Sequence, residues 1–123
     1  LTPLMMASRM GHIKFVKFLI DNGADVSSFD SFGKTALMIA IDNNQEDCAR
    51  FLVDNDLAFE KSDVMGYTPL HLAAKHGLCS LVKLLVSKGC SINYLNKFQY
   101  GALHSAAANG HTDIVKWLIE NGA

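Results

Sequence analysis

Five histidines and three cysteines are the side chains of this chain that could ligate a metal or act as nucleophiles. The cysteines form no CxxC pair, and the histidines and cysteines together do not form a set of ligands at metal-site spacing. A nucleophile also needs an oriented base, and neither a phosphate-binding glycine loop nor a pair of carboxylates for acid–base catalysis is evident. We therefore expect no enzymatic activity, no metal and no cofactor. The positions concerned are His12, His71, His76, His104, His111, Cys48, Cys79 and Cys90.

The cysteines and the overall composition also limit the class of protein. Three cysteines leave one thiol unmatched if two were bridged, which favours reduced thiols and an intracellular protein, cytoplasmic or nuclear. A net charge of -1 gives no electrostatic reason to bind nucleic acid. Polar residues interrupt every apolar stretch, so no segment approaches the roughly 20 apolar residues of a membrane span, and we expect no membrane insertion.

The elements that must position these side chains follow a 33-residue period. Leu4, Leu37, Leu70 and Leu103 stand one such step apart, and most of their surroundings recur at the same step. A fixed period of this length is typical of a stacked array, in which each unit buries its apolar face only against its neighbours. The period therefore predicts a binding surface rather than a catalytic pocket.

Each unit is predicted to contain two short helices. Thr2, Thr35 and Thr68 are suited to cap a first helix, and Pro is preferred at the position that follows two of them. Glycine ends this helix in three units and Asn44 does so in the second, because both residue types tolerate the left-handed conformation. A second, apolar helix and a polar turn complete the unit. We place one domain over residues 1–123, with units at about 1–29, 30–62, 63–95 and 96–123.

Residues 68–74 read T-P-L-H-L-A-A, and Gly77 and Gly89 follow at fixed distances. Together with the corresponding positions of the other units, this pattern resembles the ankyrin-repeat family over the whole chain. The resemblance implies an all-α solenoid of stacked helix–turn–helix units with projecting β-hairpin-like loops, here called fingers. It also implies that His71 and His104 bond to backbone, and that the concave groove lined by the first helices serves protein partners.

Both ends of the sequence fall inside the repeated pattern. The chain opens on a cap segment and closes where another unit would begin, so we expect a fragment of a longer array. The expected state is a monomer that can stack on further repeats of its parent chain.

Two departures from the period carry further expectations. Asp56 stands where the other units have Gly, and together with Asp54 it places negative charge at an unfavourable helix end, so the second unit is predicted to be the least stable. In the fourth unit Gln99 replaces the turn Gly and Gly101 replaces the capping Thr. We expect that finger to be bent or repositioned.

Large apolar side chains recur at the finger tips and are the main candidates for partner binding. A loop tip is normally polar, so such residues predict an apolar patch that buries itself on a partner. An alternative is that neighbouring fingers pack these rings on one another. The finger candidates, which include one lysine, are Phe29, Phe32, Lys34, Met65, Tyr67, Leu95, Phe98 and Tyr100.

Residues of mixed polarity at the ends of the first helices form a second candidate set, because the resemblance places them in the groove. Solvated helix ends without a ligand are the alternative. Charge differs along the stack, since residues 30–62 hold seven acidic and three basic residues whereas residues 63–95 hold one and three. The groove candidates are Arg9, Met10, Asp42, Lys75, His76 and Asn109.

These sets predict a non-catalytic protein–protein interaction module that binds a protein or peptide through finger tips and groove. Two other functions stay open: a structural spacer within a longer array, and a reader of methylated lysine with an aromatic cage built from some of Phe32, Tyr67, Phe98 and Tyr100. Asn93 also resembles the asparagine that asparaginyl hydroxylases modify in some ankyrin repeats, although Ser91 stands where those enzymes prefer an acid.

Overall fold

The computed structural model describes residues 1–57 and 59–123, and within them the regular elements are eight α-helices with no strand. The helices alternate as first and second helices of successive pairs, so that each predicted unit contains one pair. Their bounds are α1 Pro3–Met10, α2 Ile13–Asp21, α3 Ala36–Asp42, α4 Glu46–Asp54, α5 Pro69–Lys75, α6 Cys79–Ser87, α7 Ala102–Ala108 and α8 Thr112–Glu120.

The first helices begin where the threonines predict. The hydroxyl oxygens of Thr2, Thr35 and Thr68 accept hydrogen bonds from the backbone N–H three residues on, at 3.2, 3.4 and 3.4 Å. Gly101 has no such oxygen, and its own backbone N–H instead donates to Nδ1 of His104 at 2.9 Å. Three of the four helix starts therefore satisfy an otherwise unpaired N–H through the cap side chain.

The apolar residues of each helix pair are buried against the neighbouring pairs. Within each layer a helix packs on its counterpart in the next unit, α1 on α3, α3 on α5 and α5 on α7, while α2, α4, α6 and α8 form the second layer. The periodic leucines lie in this core, with Leu4, Leu37 and Leu70 no more than 2% exposed, and Leu103 of the last unit half-buried. The core is thus continuous along the stack, and no single unit has a separate core.

The fingers are hairpin-like turns with the same hydrogen bonds in units two, three and four. The backbone N–H groups of Asp30, Asp63 and Asn96 each donate to the carbonyl four residues on, at 3.0, 2.9 and 2.9 Å. Adjacent fingers are also joined, since Val64 N donates to Phe32 O and Lys97 N donates to Met65 O, both at 3.0 Å.

The expectation that the fourth finger is bent or repositioned is therefore wrong. Gln99 adopts the left-handed conformation with φ of 64°, close to the 76° and 83° of Gly33 and Gly66. A Cβ at Gly33 or Gly66 would lie 2.8 or 3.1 Å from backbone of the next finger. Gln99 bears the conformational cost of a positive φ, and its finger keeps the backbone hydrogen bond of the other two.

Asp56 of the second unit also adopts the left-handed conformation, with φ of 57°. Its carboxylate accepts a hydrogen bond from Lys88 Nζ at 3.1 Å, which brings a cation to the end of α4. The pair is largely exposed and worth little by itself. That the second unit is the least stable stays a prediction.

His71 ties the start of α5 to the fourth finger, as the resemblance implies for this histidine. Its Nδ1 accepts from the backbone N–H of Thr68 at 3.2 Å, so Nε2 carries the ring proton and donates to the carbonyl of Tyr100 at 3.0 Å. Burial lowers the pKa of this ring, and the carbonyls of Tyr100 and Tyr94 and the charge of Asp63 only partly oppose that effect. The neutral form is the one that fits the fold.

Acidification should therefore weaken the stack through His71. The folded-state pKa lies below the ordinary value of about 6.5, so the unfolded chain binds the proton first as pH falls. The contribution to the free energy of unfolding is fully present above this value and is lost as pH falls through the folded-state pKa. Urea unfolding at pH 7 and pH 5 should show a smaller difference between the two for His71→Gln than for the wild type. Equal differences would contradict the assignment.

Candidate partner-binding surface

An aspartate or asparagine at the base of each finger fixes the direction of its tip. Oδ1 of Asp30 accepts from Phe32 N and Lys34 N, both at 2.9 Å. Asp63 and Asn96 make the same pair of bonds to the backbone N–H groups two and four residues on, at 2.8 to 3.0 Å. Each tip residue is thus held by its backbone before any partner arrives.

The tip side chains point into solvent. Phe32, Met65 and Phe98 occupy the same position in three successive fingers and are 64%, 45% and 52% exposed. Phe29 and Leu95 are exposed beside them, at 71% and 46%. We call Phe32, Met65 and Phe98 the tip row.

The rings of neighbouring tips do not pack on one another, so the alternative in which they hold the fingers together is wrong. Among the described residues, Phe98 pairs with Tyr100 of its own finger, with centroids 6.3 Å apart. Tyr67 and Tyr100 each contact the histidine of their own unit, at 5.8 and 5.5 Å. Backbone hydrogen bonds join the fingers instead.

The same contacts argue against the aromatic cage. A cage requires several rings around one gap, but Phe32 is in no aromatic pair of the described residues, and Tyr67 is half-buried with its ring edge-on to His71. Only Phe98 and Tyr100 are close together, and their planes are tilted by 42°. The four candidate rings do not form one cation site.

Lys34 belongs to the groove and not to the tips, which corrects its predicted placement. Its Nζ lies 2.6 Å from Oδ2 of Asp42 and 3.5 Å from Oδ2 of Asp63, whose side chain is only 5% exposed. Burial lowers the pKa of Lys34, but the hydrogen bonds and charges of Asp42 and Asp63 outweigh it and leave that pKa raised. The ammonium therefore links a finger to the end of α3 and to the next finger.

Asp42 also contacts His76, so three predicted site residues are brought together. Its Oδ1 lies 3.0 Å from Nε2 of His76, which follows α5 in the next unit. The three side chains are each 24% exposed. Because Asp42 is already paired with a cation, its charge is largely neutralised within the protein.

The remaining groove candidates are exposed. Arg9, Lys75 and Asn109 lie at or next to the ends of first helices, and Met10 beside Arg9 is 58% exposed. The carbonyls of Arg9 and Lys75 accept bonds from Gln45 and His111 of the next unit, at 3.1 and 2.8 Å. These bonds fix the backbone and leave both cationic side chains turned towards solvent. Their contact with a partner stays a prediction.

Two exposed apolar residues next to the tips were missed from the sequence. Val64 precedes Met65 and is 48% exposed, and Tyr94 precedes Leu95 and is 45% exposed. A valine in a turn was a usable signal, since β-branched residues favour strands. Tyr94 carried none, because its exposure depends on how the fourth finger packs.

The cysteines and Asn93 occupy ordinary structural places. All three thiols are free, and burial, with a smaller effect of Glu60, raises the pKa of Cys90 to about 11, which makes it a poor nucleophile. Within residues 1–57 and 59–123 no group of three potential ligands is close enough to hold a metal, and no helix is long and apolar enough to cross a membrane. Asn93 is exposed and donates to Gly122 O at 3.3 Å, and its hydroxylation stays a prediction.

Helix pairs stacked at a 33-residue period, with capped first helices and hydrogen-bonded fingers, define a helical-repeat protein whose exposed surface runs along the stack. The family model for ankyrin repeats (3 copies) matches residues 1–63 and 56–123, and the chain belongs to the ankyrin-repeat family. Members of this family are generally protein–protein interaction modules and are typically non-catalytic. No curated protein matches the chain.

Asn96 shows how the groove depends on cross-finger pairs. Asn96 stands one period after Asp63, and Tyr67 stands one period after Lys34. The cation that pairs with Asp63 therefore has no equivalent beside Asn96, where the side chain is a neutral amide. Its Nδ2 is buried without a hydrogen-bond partner in the described structure. The neutral amide avoids a buried charge at the cost of an unpaired NH2 group.

Asn96→Asp should lower the free energy of unfolding at pH 7 by roughly 1–3 kcal/mol, because it buries a carboxylate without a cation. Adding Tyr67→Lys should recover part of this loss by rebuilding the pair that Lys34 and Asp63 form. Tyr67→Lys alone is the control, and urea unfolding of all four proteins gives the coupling between the two positions. Additive effects of the two substitutions would contradict the pairing.

Proposed function

We propose that this chain binds a protein or peptide partner non-covalently, with the tip row as apolar anchors and the groove as the site of polar selection. The observation that carries the proposal is the exposure of Phe32, Met65 and Phe98 at one position of three joined fingers. Large apolar side chains that remain in solvent at repeated positions are typical of surfaces that are buried on binding.

The rigidity of the fingers supports this proposal. Each tip is fixed by two bonds to the side chain at its base, and the backbone of each finger is bonded to the next. A surface that is already ordered loses less conformational entropy when it binds. One partner can then contact three anchor residues that are already in place.

The charges of the groove residues favour a partner of complementary charge. Lys34 neutralises Asp42, whereas Arg9 and Lys75 are exposed. We therefore infer a partner segment with apolar residues towards the tips and one or two carboxylates towards the groove. This arrangement sets the orientation of the partner more than its affinity.

An intracellular location, inferred from three free thiols, is part of the same proposal.

Combined replacement of Phe32, Met65 and Phe98 by Ser should weaken partner binding at least roughly tenfold, because truncation of anchor residues commonly costs more than 1 kcal/mol each. Peptides selected from a randomised displayed library against the wild-type protein serve as the probe, and their Kd is measured by titration. Phe18→Ser is a matched control, since Phe18 is 58% exposed on α2, away from the fingers.

Helical content should not change in either variant, because the replaced side chains lie outside the core. Equal loss of binding in the tip variant and in Phe18→Ser would show unspecific apolar adhesion. If the wild type selects no peptide sequence, the alternative function, a structural spacer within a longer array, would be favoured.

A further inference from the structure

The middle residue of the tip row differs in its chemistry from the other two. Met65 stands where the neighbouring fingers have Phe32 and Phe98, and its side chain is 45% exposed and outside the apolar core. All three fingers close with the same backbone hydrogen bond, so the fold of the finger does not require a thioether at this position. A thioether sulfur is readily oxidised by peroxides, which converts an apolar side chain into a polar one. The tip row therefore contains one oxidisable anchor between two phenylalanines.

Backbone hydrogen bonds hold Met65 at the surface. Its N–H group donates to Oδ1 of Asp63 at 3.0 Å, and its carbonyl accepts from the N–H group of Lys97 at 3.0 Å. Both bonds use backbone atoms of Met65, so they do not depend on the chemistry of its side chain. Oxidation of the sulfur would therefore change the exposed surface of the finger and leave its fold intact.

The other four methionines lie outside the fingers. Met5 and Met38 belong to the core and are 2% and 0% exposed, so an oxidant does not reach them while the protein is folded. Met6 and Met10 are 44% and 58% exposed but belong to α1. Of the five methionines, Met65 is thus the one whose oxidation changes the tip row.

Two of the three thiols are poor competitors for the same oxidant. Burial, with a smaller effect of Asp47, raises the pKa of Cys48, and the pKa of Cys90 is raised to about 11. Peroxides attack the thiolate and not the thiol, so both cysteines react slowly at neutral pH. Cys79 is half-buried in α6, and its oxidation would leave the finger tips unchanged.

Oxidation would turn an anchor into a group that opposes binding. Hydrogen peroxide transfers one oxygen atom to the sulfur: the O–O bond breaks, an S–O bond forms with an electron pair of the sulfur, and the second oxygen leaves as water after taking up the proton of the first. The sulfur is oxidised and the peroxide is reduced. The resulting sulfoxide has a strongly accepting oxygen, and burying it against an apolar partner leaves that oxygen without a hydrogen bond.

We propose that Met65 is an oxidation site through which hydrogen peroxide switches off partner binding by the tip row. This inference rests on the proposed function, because it assigns a form of regulation to the same surface. A partner that contacts both Phe32 and Phe98 must also cover Met65, which lies between them, so the modified side chain cannot be avoided. Methionine sulfoxide reductases reverse the change: the sulfoxide oxygen leaves as water while two thiols are oxidised to a disulfide.

The reactivity of Met65 is tested without any partner. Peptide mass spectrometry after limited treatment with hydrogen peroxide measures the gain of one oxygen atom at each methionine. Met65 should be oxidised while Met5 and Met38 stay unmodified, and circular dichroism should show unchanged helical content. A Met65 that stays reduced while Met10 is fully oxidised, or a loss of helical content together with oxidation of Met65, would overturn the inference whatever the protein binds.

The effect on binding is measured by comparing each protein with itself before and after oxidation. The probe is a peptide without Met, Cys or Trp, selected from the displayed library against the untreated wild type, and peroxide is removed before the titration. The Kd of the wild type and of the double variant Met6→Leu/Met10→Leu should rise at least roughly tenfold on oxidation. The Kd of Met65→Leu should be the same before and after treatment. Incubation with the reductases for both sulfoxide epimers should restore the wild-type Kd.

The outcomes separate this inference from the proposed function. If Phe32→Ser weakens binding of the probe but oxidation of the wild type does not, the proposed function stands and the oxidation switch is wrong. An equal rise of Kd in Met65→Leu would assign the effect to another oxidised residue and would also overturn the inference. If the untreated wild type selects no peptide, the proposed function fails and the switch fails with it.

Discussion

Burial of each helix pair against its neighbours is the interaction on which the rest of the structure depends. A pair of helices seven to nine residues long is too short to be stable by itself, because a helix is costly to initiate and two turns add few hydrogen bonds to offset that cost. Val16, Ala49 and Val82 are fully buried at equivalent positions, each between its own unit and the next. Val115, at the same position of the last described helix pair, is half-buried. Stability is therefore held at interfaces between units rather than within them.

Stacking also determines where the fingers lie. Once successive units are held at a constant offset, the backbone of each finger comes within hydrogen-bonding distance of the next, as Val64 N and Phe32 O show. His71 uses the same offset to reach Tyr100 O. The polar contacts of the finger layer thus depend on the apolar contacts of the helix layer, and the positions of Phe32, Met65 and Phe98 depend on both. A binding surface of this kind inherits its rigidity from a core that lies elsewhere.

Features governed by neighbours in the sequence could be predicted, and those governed by neighbours in space could not. Thr35 caps its helix and Asn44 takes a left-handed conformation as expected, because both effects act over a few residues. The exposure of the tips was implied by the family resemblance. Lys34, by contrast, looked like a tip residue, and only the folded stack shows that Asp42 and Asp63 are both within reach. Gln99 was misjudged because a residue other than Gly can adopt the left-handed conformation of this turn, here with φ of 64°.

The pairing of Lys34 with Asp63, and the presence of Tyr67 and Asn96 at the equivalent positions one unit on, show how charge is distributed along the groove. In each case one residue comes from a finger and the other from the base of the next, so a charge at one position is tolerated only if the neighbouring unit neutralises it. Asp42 is compensated by Lys34 of its own unit and also lies 3.0 Å from Nε2 of His76 in the following unit. The groove therefore exposes charges that the stack leaves uncompensated, such as Arg9 and Lys75. The charge that it exposes is a property of adjacent units taken together, because a unit moved to another place in the array would have a different neighbour to compensate it.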